Sequence, residues 1–484
     1  MTMLPRRTFL AGTAAAAGGA VVGGPFAGFV NAAAEEYHRP RRAHLHPVPD
    51  LRDGVVRLHV PKGFRYRSFH DTTQPVTLDD GTVLPGRHDG MGAFRGPDGS
   101  VLLVRNHEIN NPTTAFGPLT PYDANAGGGT TTIEVTRHGE VRHAYTSLNG
   151  TMMNCSGGVM PWGSWVTCEE TVNGPDVGPD FTGVSNVTLQ KPHGYVFEVP
   201  AGGTSDNEPI TAAGRFAHEA VSFDPKGGHL YLTEDNFAFP SGFYRYTPRH
   251  HPMETGSLDN EGRLQMLAVR GNPLAHLEAK QPRKARYKVT WVDIEYPDPT
   301  FPYTPGQTAP TTNDEALVYV GDQGRAHGAA LFSRLEGQVY DRGWVYFTST
   351  QGGGDAMDLD EAPFSADGFG NGYGQVWGYH IASQSLHLIF QSPGPEVLDF
   401  PDNVTTSRRG TIVLCEDHVD DNYVRGLTPE GRLFNIALNR IGGRTDDEFA
   451  GSTFSPDGET LFVNIQASKG LSFAIWGPWH SIGV

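Results

Sequence analysis

The sequence contains few cysteines and fewer basic than acidic residues. Only Cys155, Cys168 and Cys415 occur among 484 residues. A protein held together by disulfides usually has more cysteines, in even number, so three favour free thiols or a thiolate ligand. Lysine and arginine (37) are outnumbered by aspartate and glutamate (54), which gives a net charge of −17. A surface of this sign argues against nucleic acid as a partner. It would suit a protein that gathers divalent cations, although a general solubility charge is the more common explanation.

Helix breakers, in contrast, are abundant. Glycine (61) and proline (36) make up about a fifth of the chain, against an average usage of about 12%. This content excludes a helical bundle and favours many short strands joined by turns. Hydrophobic residues make up 38% of the chain, which is enough for a large core and excludes wholesale disorder. No linker or low-complexity tract divides residues 45–484, so we expect them to form a single all-β domain.

Residues 1–34 have the pattern of a twin-arginine signal peptide. Arg6 and Arg7 lie in the segment Pro-Arg-Arg-Thr-Phe-Leu, and residues 8–34 carry no charge. The alanines at 32–34 offer a cleavage site before Glu35. A membrane anchor is the alternative, but the stretch is rich in glycine and only mildly apolar. The sequence thus predicts export through the twin-arginine machinery. That route carries folded proteins and serves enzymes that receive a cofactor before export.

A repeat of about sixty residues organises the rest of the chain. Each copy has a turn, an apolar strand and a polar or acidic end. The six copies lie at 101–108, 164–170, 229–235, 344–351, 411–417 and 460–466. More exposed, alternating strands follow most of them. This pattern predicts a six-bladed β-propeller with an insertion near residues 250–315.

Acidic residues recur in and around these segments. In a propeller they would converge on one central volume, where bunched carboxylates are tolerated mainly when cations neutralise them. Each acid could instead cap a turn or form a surface ion pair. The candidates are Glu108, Glu169, Glu170, Glu219, Glu234, Asp235, Glu336, Asp402, Glu416, Asp417 and Glu448. Oxygen ligands suit Ca2+ or Mg2+, and a nearby thiolate would suit iron or another transition metal. Cys155 stands out because it lies among glycine and serine, whereas Cys168 and Cys415 lie inside strand patterns.

Several motifs together resemble the PhoX-type bacterial alkaline phosphatases. The most characteristic is Asn-Cys-Ser-Gly-Gly (154–158) followed by Pro-Trp-Gly-Ser-Trp-Val-Thr-Cys-Glu-Glu (161–170). The others are Arg-Asn-His-Glu (105–108), Arg-Phe-Ala-His-Glu (215–219), Phe-Ser-Arg-Leu-Glu-Gly (332–337), Pro-Asp-Asn (401–403), and Glu-Phe-Ala-Gly (448–451) leading to Leu-Phe-Val-Asn-Ile-Gln (461–466). They occur in the order of that family, from about residue 50 to 480. The chain is shorter than many members, and Asn403-Val404 follow Asp402 where an aromatic residue is often found nearby.

The resemblance implies an exported propeller that hydrolyses phosphomonoesters with a centre of ferric (Fe3+) and calcium (Ca2+) ions. By motif, Cys155 would be the thiolate on iron, with Glu169 or Glu170 nearby. The other carboxylate ligands would be Glu219, Glu336, Asp402 and Glu448. Arg334 would hold the phosphate of the substrate, and Asn106 is a weaker candidate for the same role. This chemistry is physically reasonable, because phosphate-ester cleavage depends mainly on positioning and charge neutralisation.

Two other functions stay open at this point. One is a single-calcium, six-bladed propeller that hydrolyses lactones or esters, and the other is a non-catalytic binding scaffold. For the phosphatase we expect a monomer acting on a small-molecule phosphoester, secreted, periplasmic or held at the cell surface. No Ser-His-Asp signature or Walker loop offers a competing nucleophile or phosphate cradle.

Overall fold

The computed structural model describes residues 44–364, 368–428 and 431–484. The predicted signal peptide, residues 1–34, lies outside them. The described residues form 26 strands and one α-helix, α1 (Asn313–Ala326), so the all-β prediction is confirmed. None of their helices is long and apolar enough to cross a membrane.

The strands are β1 (Leu45–Pro49), β2 (Val56–Pro61), β3 (Arg65–Phe69), β4 (His88–Arg95), β5 (Val101–His107), β6 (Gly128–Val135), β7 (Val141–Thr151), β8 (Asn154–Val159), β9 (Ser164–Glu169), β10 (Val196–Pro200), β11 (His218–Asp224), β12 (His229–Glu234) and β13 (Phe243–Thr247). They continue with β14 (Arg263–Val269), β15 (Arg286–Asp293), β16 (Leu335–Asp341), β17 (Trp344–Ser349), β18 (Gln375–His380), β19 (Ser385–Gln391), β20 (Pro401–Thr406), β21 (Ile412–Glu416), β22 (Tyr423–Leu427), β23 (Leu433–Asn439), β24 (Glu448–Phe454), β25 (Thr460–Gln466) and β26 (Leu471–Trp476).

Consecutive strands pair in antiparallel meanders. The units are β4–β7, β8–β10, β11–β14, β16–β19, β20–β23 and β24–β26. The first strands of these units contact one another in a closed cycle, from β4 through β8, β11, β16, β20 and β24 back to β4. These first strands therefore surround a common centre, and the remaining strands of each unit extend outwards.

All six predicted apolar segments are strands, but they are the second strands of their units. They correspond to β5, β9, β12, β17, β21 and β25. Each is sandwiched between two neighbours of its own sheet and packed on both faces, which explains its apolar run. The first strands, nearer the centre, carry more glycine, serine and acid, and so give a weaker hydrophobic signal.

Part of the expected insertion at 250–315 is regular sheet. β14 is the fourth strand of its unit, and β15 pairs with β14 on one side and with β19 on the other. β15 thereby joins two units into one nine-stranded sheet. Helix α1 follows, and a capping box formed by Thr312 and Glu315 fixes its start. Only small residues fit where it packs: a Cβ on Gly324 would lie 2.3 Å from Met266 Sδ.

The third strand of the described chain pairs with the last one in a single sheet. β3 pairs with β26, in a register that runs from Ser472 opposite Phe69 to Trp476 opposite Arg65. The buried rings of Tyr66 and Phe473 pack edge to face, with centroids 5.8 Å apart. A strand from near the start of the domain thus completes the sheet formed by its last strands.

We call the sheet formed by β24, β25, β26 and β3 the closing sheet. We expect the truncation of a side chain in its core to lower the stability of the protein substantially. Phe473→Ala should lower the free energy of unfolding by about 3–5 kcal/mol, because it empties the space beside Tyr66. Urea denaturation measures the change. Val419→Ala, at a side chain that is 53% exposed, is the control and should stay within about 0.5 kcal/mol. A loss at Phe473 no larger than in the control would contradict the packing of β3 against β26.

Candidate metal centre

The six first strands share one irregularity. In each, two residues stand opposite a single residue of the second strand, which makes a β-bulge at the same position of every unit. A bulge bends the strand and re-aims the side chain it carries, and bulges are common beside active sites. The first bulged residues are Asp89, Cys155, Glu219, Glu336, Asp402 and Gly451.

The bulges of neighbouring units pack closely against one another. A Cβ on Gly337, the second bulged residue of β16, would lie 2.8 Å from Asn403 Cα. Gly451 has φ +61°, and a Cβ there would lie 2.2 Å from the carbonyl oxygen of Asp89. A side chain is therefore excluded at Gly451. Five of the six bulges present a carboxylate or a thiol. The sixth, at Gly451, has no side chain and so allows the backbone of Asp89 to lie close to it.

Five of the expected ligands lie together, four of them on bulges and the fifth, Glu170, directly after β9. One ligand atom from each of Cys155, Glu170 and Glu219 lies within 4.8 Å of the other two. The same holds for Glu219, Glu336 and Asp402. Glu219 belongs to both groups, so it can bridge two ions. All five side chains are buried except Asp402, which is half-buried.

Burial and mutual repulsion disfavour charge on these groups. Burial, followed by repulsion from Glu336, Glu170 and Asp402, raises the pKa of Glu219 well above its usual value. Burial, then Asp235 and Asp402, does the same to the pKa of Glu336. The pKa of the Cys155 thiol is raised by burial and by Glu219 and Glu170. A bound cation would reverse this balance, because it stabilises the deprotonated form of each ligand.

The donor atoms also fit metal ions by type. The group with Cys155 combines one sulfur with carboxylate oxygens, a set that suits a transition metal. The group of Glu219, Glu336 and Asp402 offers only oxygen, which suits a hard cation. The acidic groups of this structure could therefore bind metal. Cys155 Sγ lies 3.2 Å from the carbonyl oxygen of His218, to which its thiol donates.

Glu169 belongs to neither group, although the sequence suggested it beside Glu170. Its carboxylate accepts hydrogen bonds from the backbone of Met152, Gly194 and Tyr195, and it contacts His193 Nδ1 at 2.6 Å. Successive residues of an extended strand point to opposite faces, so Glu169 anchors loops of its own sheet while Glu170 reaches the cluster.

Two other predicted acids occupy the position of Glu169 in their units. Glu234 accepts from the backbone of Gly242 and from the Tyr244 hydroxyl, each at 2.8 Å. Glu416 accepts from the backbone of Asp399 and from Arg425 Nε. These carboxylates support loops within their own sheets.

Arg334 lies at the cluster, as expected. Its Nε and Nη2 donate to the two oxygens of Asp235 at 3.1 and 2.8 Å, and Nη2 donates to Glu336 Oε1 at 2.7 Å. The residue has φ +43°, and its guanidinium lies 5.8 Å from the ring centre of Phe237. The fork of Arg334 is thus held in place beside the acidic groups.

Asn106 does not have the role suggested for it. It is fully buried, and its Nδ2 donates to the carbonyl oxygens of Cys155 and Ser156 at 2.9 and 2.8 Å. Its Oδ1 accepts from Trp165 Nε1 and Thr167 Oγ1, both at 2.9 Å. With both amide protons and its oxygen engaged in this way, Asn106 holds the backbone of the Cys155 bulge and is not placed to bind phosphate.

Glu448 is likewise outside both groups. It is the half-buried first residue of β24, paired with Gln466 and three positions before the bulge at Gly451. The bulge of that unit therefore carries no ligand.

One central acid was missed by the sequence analysis. Asp89 is buried, and its pKa is raised by burial and by repulsion from Glu108 and Asp402. Gln466 Nε2 donates to both Asp89 and Glu108, and Arg87 donates to Glu108 as well. In three units the signal was an acid followed by a small residue upstream of the apolar strand, as in Asp89-Gly90, Glu219-Ala220 and Glu336-Gly337. That pattern becomes visible only when the first strands are aligned by their bulges.

The comparisons with known proteins agree with this geometry. A family model described as alkaline phosphatase PhoX matches residues 44–144 and 138–469. PhoX from Pseudomonas fluorescens, solved in complex with vanadate, a transition state analogue, is 17% identical over 91% of this chain and 98% of its own, with a TM-score of 0.64. This likeness shows that the two chains share a fold. No curated protein sequence matches the chain significantly.

More distant structures include a gluconolactonase from Xanthomonas campestris and virginiamycin B lyase from Staphylococcus aureus. Each is 12% identical over 85% of this chain, and covers 97% and 99% of its own length respectively. Both have a TM-score of 0.37, which supports no argument about fold or function.

The family model spans residues 44–469, and the bulges gather the residues that its motifs carry. The protein belongs to the PhoX family of alkaline phosphatases, enzymes that hydrolyse phosphoric monoesters.

Proposed function

We propose that this protein is an exported phosphomonoesterase whose single domain, residues 45–484, is a six-bladed β-propeller with Fe3+ and Ca2+ at its centre. The observation that carries the proposal is the bulge repeated in six first strands, which places Cys155, Glu219, Glu336 and Asp402 around one point. The closed cycle of contacts between these strands supports six blades.

The two ligand groups differ in the ions that they would hold. Cys155, with Glu170 and Glu219, would hold iron, because sulfur favours a transition metal over calcium. Glu219, Glu336 and Asp402 would hold calcium through oxygen alone. When bound, the ions would neutralise phosphoryl charge and supply a deprotonated oxygen at neutral or alkaline pH.

The side chains of the protein would bind and orient the substrate. Arg334 would donate its hydrogen bonds to a phosphoryl oxygen, as guanidinium groups do in phosphate sites. Asp235 and Glu336 hold the guanidinium before substrate arrives, which lowers the entropic cost of positioning. Asn106 would act indirectly, by holding the backbone that presents Cys155.

The substrate would be a small phosphoester, and the net charge of −17 makes nucleic acid an unsuitable partner. Arg6 and Arg7 support export by the twin-arginine machinery. The mature protein would act as a monomer outside the cytoplasm, whether secreted, periplasmic or on the cell surface.

The first prediction concerns metal and activity together. Purified protein should hydrolyse nitrophenyl phosphate at alkaline pH, and exhaustive calcium chelation should abolish turnover, because the carboxylates would then repel phosphate. Elemental analysis should find iron and calcium. Calcium alone, with lactone or ester hydrolysis, would favour the lactonase alternative. Absence of both metals and of any turnover would favour a binding scaffold.

The second prediction concerns Arg334. Arg334→Lys keeps the charge but loses the planar fork, so kcat/KM for nitrophenyl phosphate should fall about 10- to 100-fold, the range for one or two charge-assisted hydrogen bonds. Metal content should be unchanged. Arg342→Lys, at a side chain that is 63% exposed, is the matched control. Wild-type kinetics in Arg334→Lys would remove this residue from the substrate site.

The third prediction separates a ligand from a core thiol. Cys155→Ser should lose iron, any visible absorption from thiolate-to-iron charge transfer and nearly all activity, while circular dichroism stays native. Cys168→Ser is the control, because Cys168 is fully buried in the same hydrophobic cluster but belongs to neither ligand group. It should cost at most a few kcal/mol of stability and leave iron in place. Full iron content in Cys155→Ser would refute the thiolate assignment.

A further inference from the structure

Arg105, on β5, is a buried cation that the centre does not use. The residue is fully buried. Its Nη1 donates to Ser472 Oγ at 2.9 Å, and its Nη2 donates to His70 Nδ1 at 3.3 Å and to Thr131 Oγ1 at 3.2 Å. Its Nε has no partner among the described residues. A guanidinium has five N–H groups, so these three bonds leave donors unsatisfied.

The groups around Arg105 supply no negative charge. Its three hydrogen-bond partners are an imidazole and two hydroxyls, and no carboxylate in the described part of the chain forms an ion pair with it. Burial, reinforced by Arg105 itself, holds the pKa of His70 well below its usual value. The same two causes lower the pKa of His107 to about 3. The imidazoles are therefore neutral near pH 7. A neutral ring nitrogen can accept a hydrogen bond from Arg105, but it does not balance the positive charge of the guanidinium.

The guanidinium itself stays protonated. Burial lowers the pKa of Arg105 to about 9, which still leaves it charged at neutral pH. A buried charge without a partner costs several kcal/mol, a large part of the stability of a typical domain. Arg105 thus carries one uncompensated positive charge and an unused N–H donor at Nε.

The hydrogen-bond partners of Arg105 come from two sheets. Arg105 and Thr131 belong to the first sheet, on β5 and β6, whereas Ser472 lies on β26 of the closing sheet and His70 directly follows β3. An occupant bound to Arg105 would therefore connect the first sheet with the sheet formed by β24, β25, β26 and β3.

We infer that Arg105 binds a small monovalent anion, with chloride as the physiological form, at the junction of these two sheets. One negative charge balances the single guanidinium, and the unpaired Nε supplies a donor to the anion. A phosphate would bring more charge than the one cation can neutralise. The inference is independent of the phosphatase centre, because none of its contacts involves Cys155 or the clustered carboxylates.

Bromide is the probe for this site. Crystals of the full protein grown or soaked in sodium bromide should show an anomalous peak in contact with Arg105 Nε. Density for water alone at that position, in saturating bromide, would overturn the inference. This measurement does not depend on any variant folding.

Thermal unfolding gives the second measurement. At constant ionic strength, replacing gluconate by chloride should raise the unfolding temperature by about 3 °C at saturation, as for a ligand at roughly 100 times its Kd. Arg105→Met should abolish this chloride-specific shift. Arg263→Met, at an exposed ion pair with Asp293, should retain it. An equal chloride-specific shift in Arg105→Met and wild type would contradict the inference.

Discussion

The burial of several carboxyl groups and one thiol around a single point is the constraint on which the rest of the structure depends. Two charged carboxylates about 4 Å apart repel by roughly 4 kcal/mol at an effective dielectric constant of 20. A few such pairs equal the whole stability of a domain, about 5–15 kcal/mol. The group around Glu219 can therefore be fully ionised only when cations accompany it, and otherwise it retains protons, as its raised pKa values indicate.

The fold satisfies this constraint with the same local feature, a β-bulge, in the first strand of every unit. A bulge in each first strand, which in five units turns a side chain towards the centre, leaves the second strand in regular register with the third strand of the same unit. The acid that directly follows the second strand then supplies either a further ligand, as Glu170 does, or a partner for Arg334, as Asp235 does. The preceding glutamate points the other way and anchors a loop. The glycine at 451 breaks the ring of ligands, so the centre is asymmetric although the backbone repeats.

The sequence predicted the apolar strands and the cluster of Cys155, Glu170, Glu219, Glu336 and Asp402, because hydrophobic runs and family motifs are local signals. It did not distinguish first from second strands, since burial on both faces depends on the neighbours of a strand. Asp89 was missed because its role comes from a bulge aligned with those of distant units. The family motifs suggested Glu169 as a possible metal ligand and Asn106 as a weaker candidate for binding phosphate, but side-chain direction and backbone hydrogen bonds place them in supporting positions.

The pairing of β3 with β26 also determines at which stage of synthesis the domain can complete its fold. The closing sheet cannot form until β26 has left the ribosome, so the domain completes its fold only after all of its strands have been synthesised. A copy that ends before residue 471 would leave β25 and β3 with unpaired edges. Such edges are templates for pairing with other chains, so we expect prematurely terminated copies to be prone to aggregation.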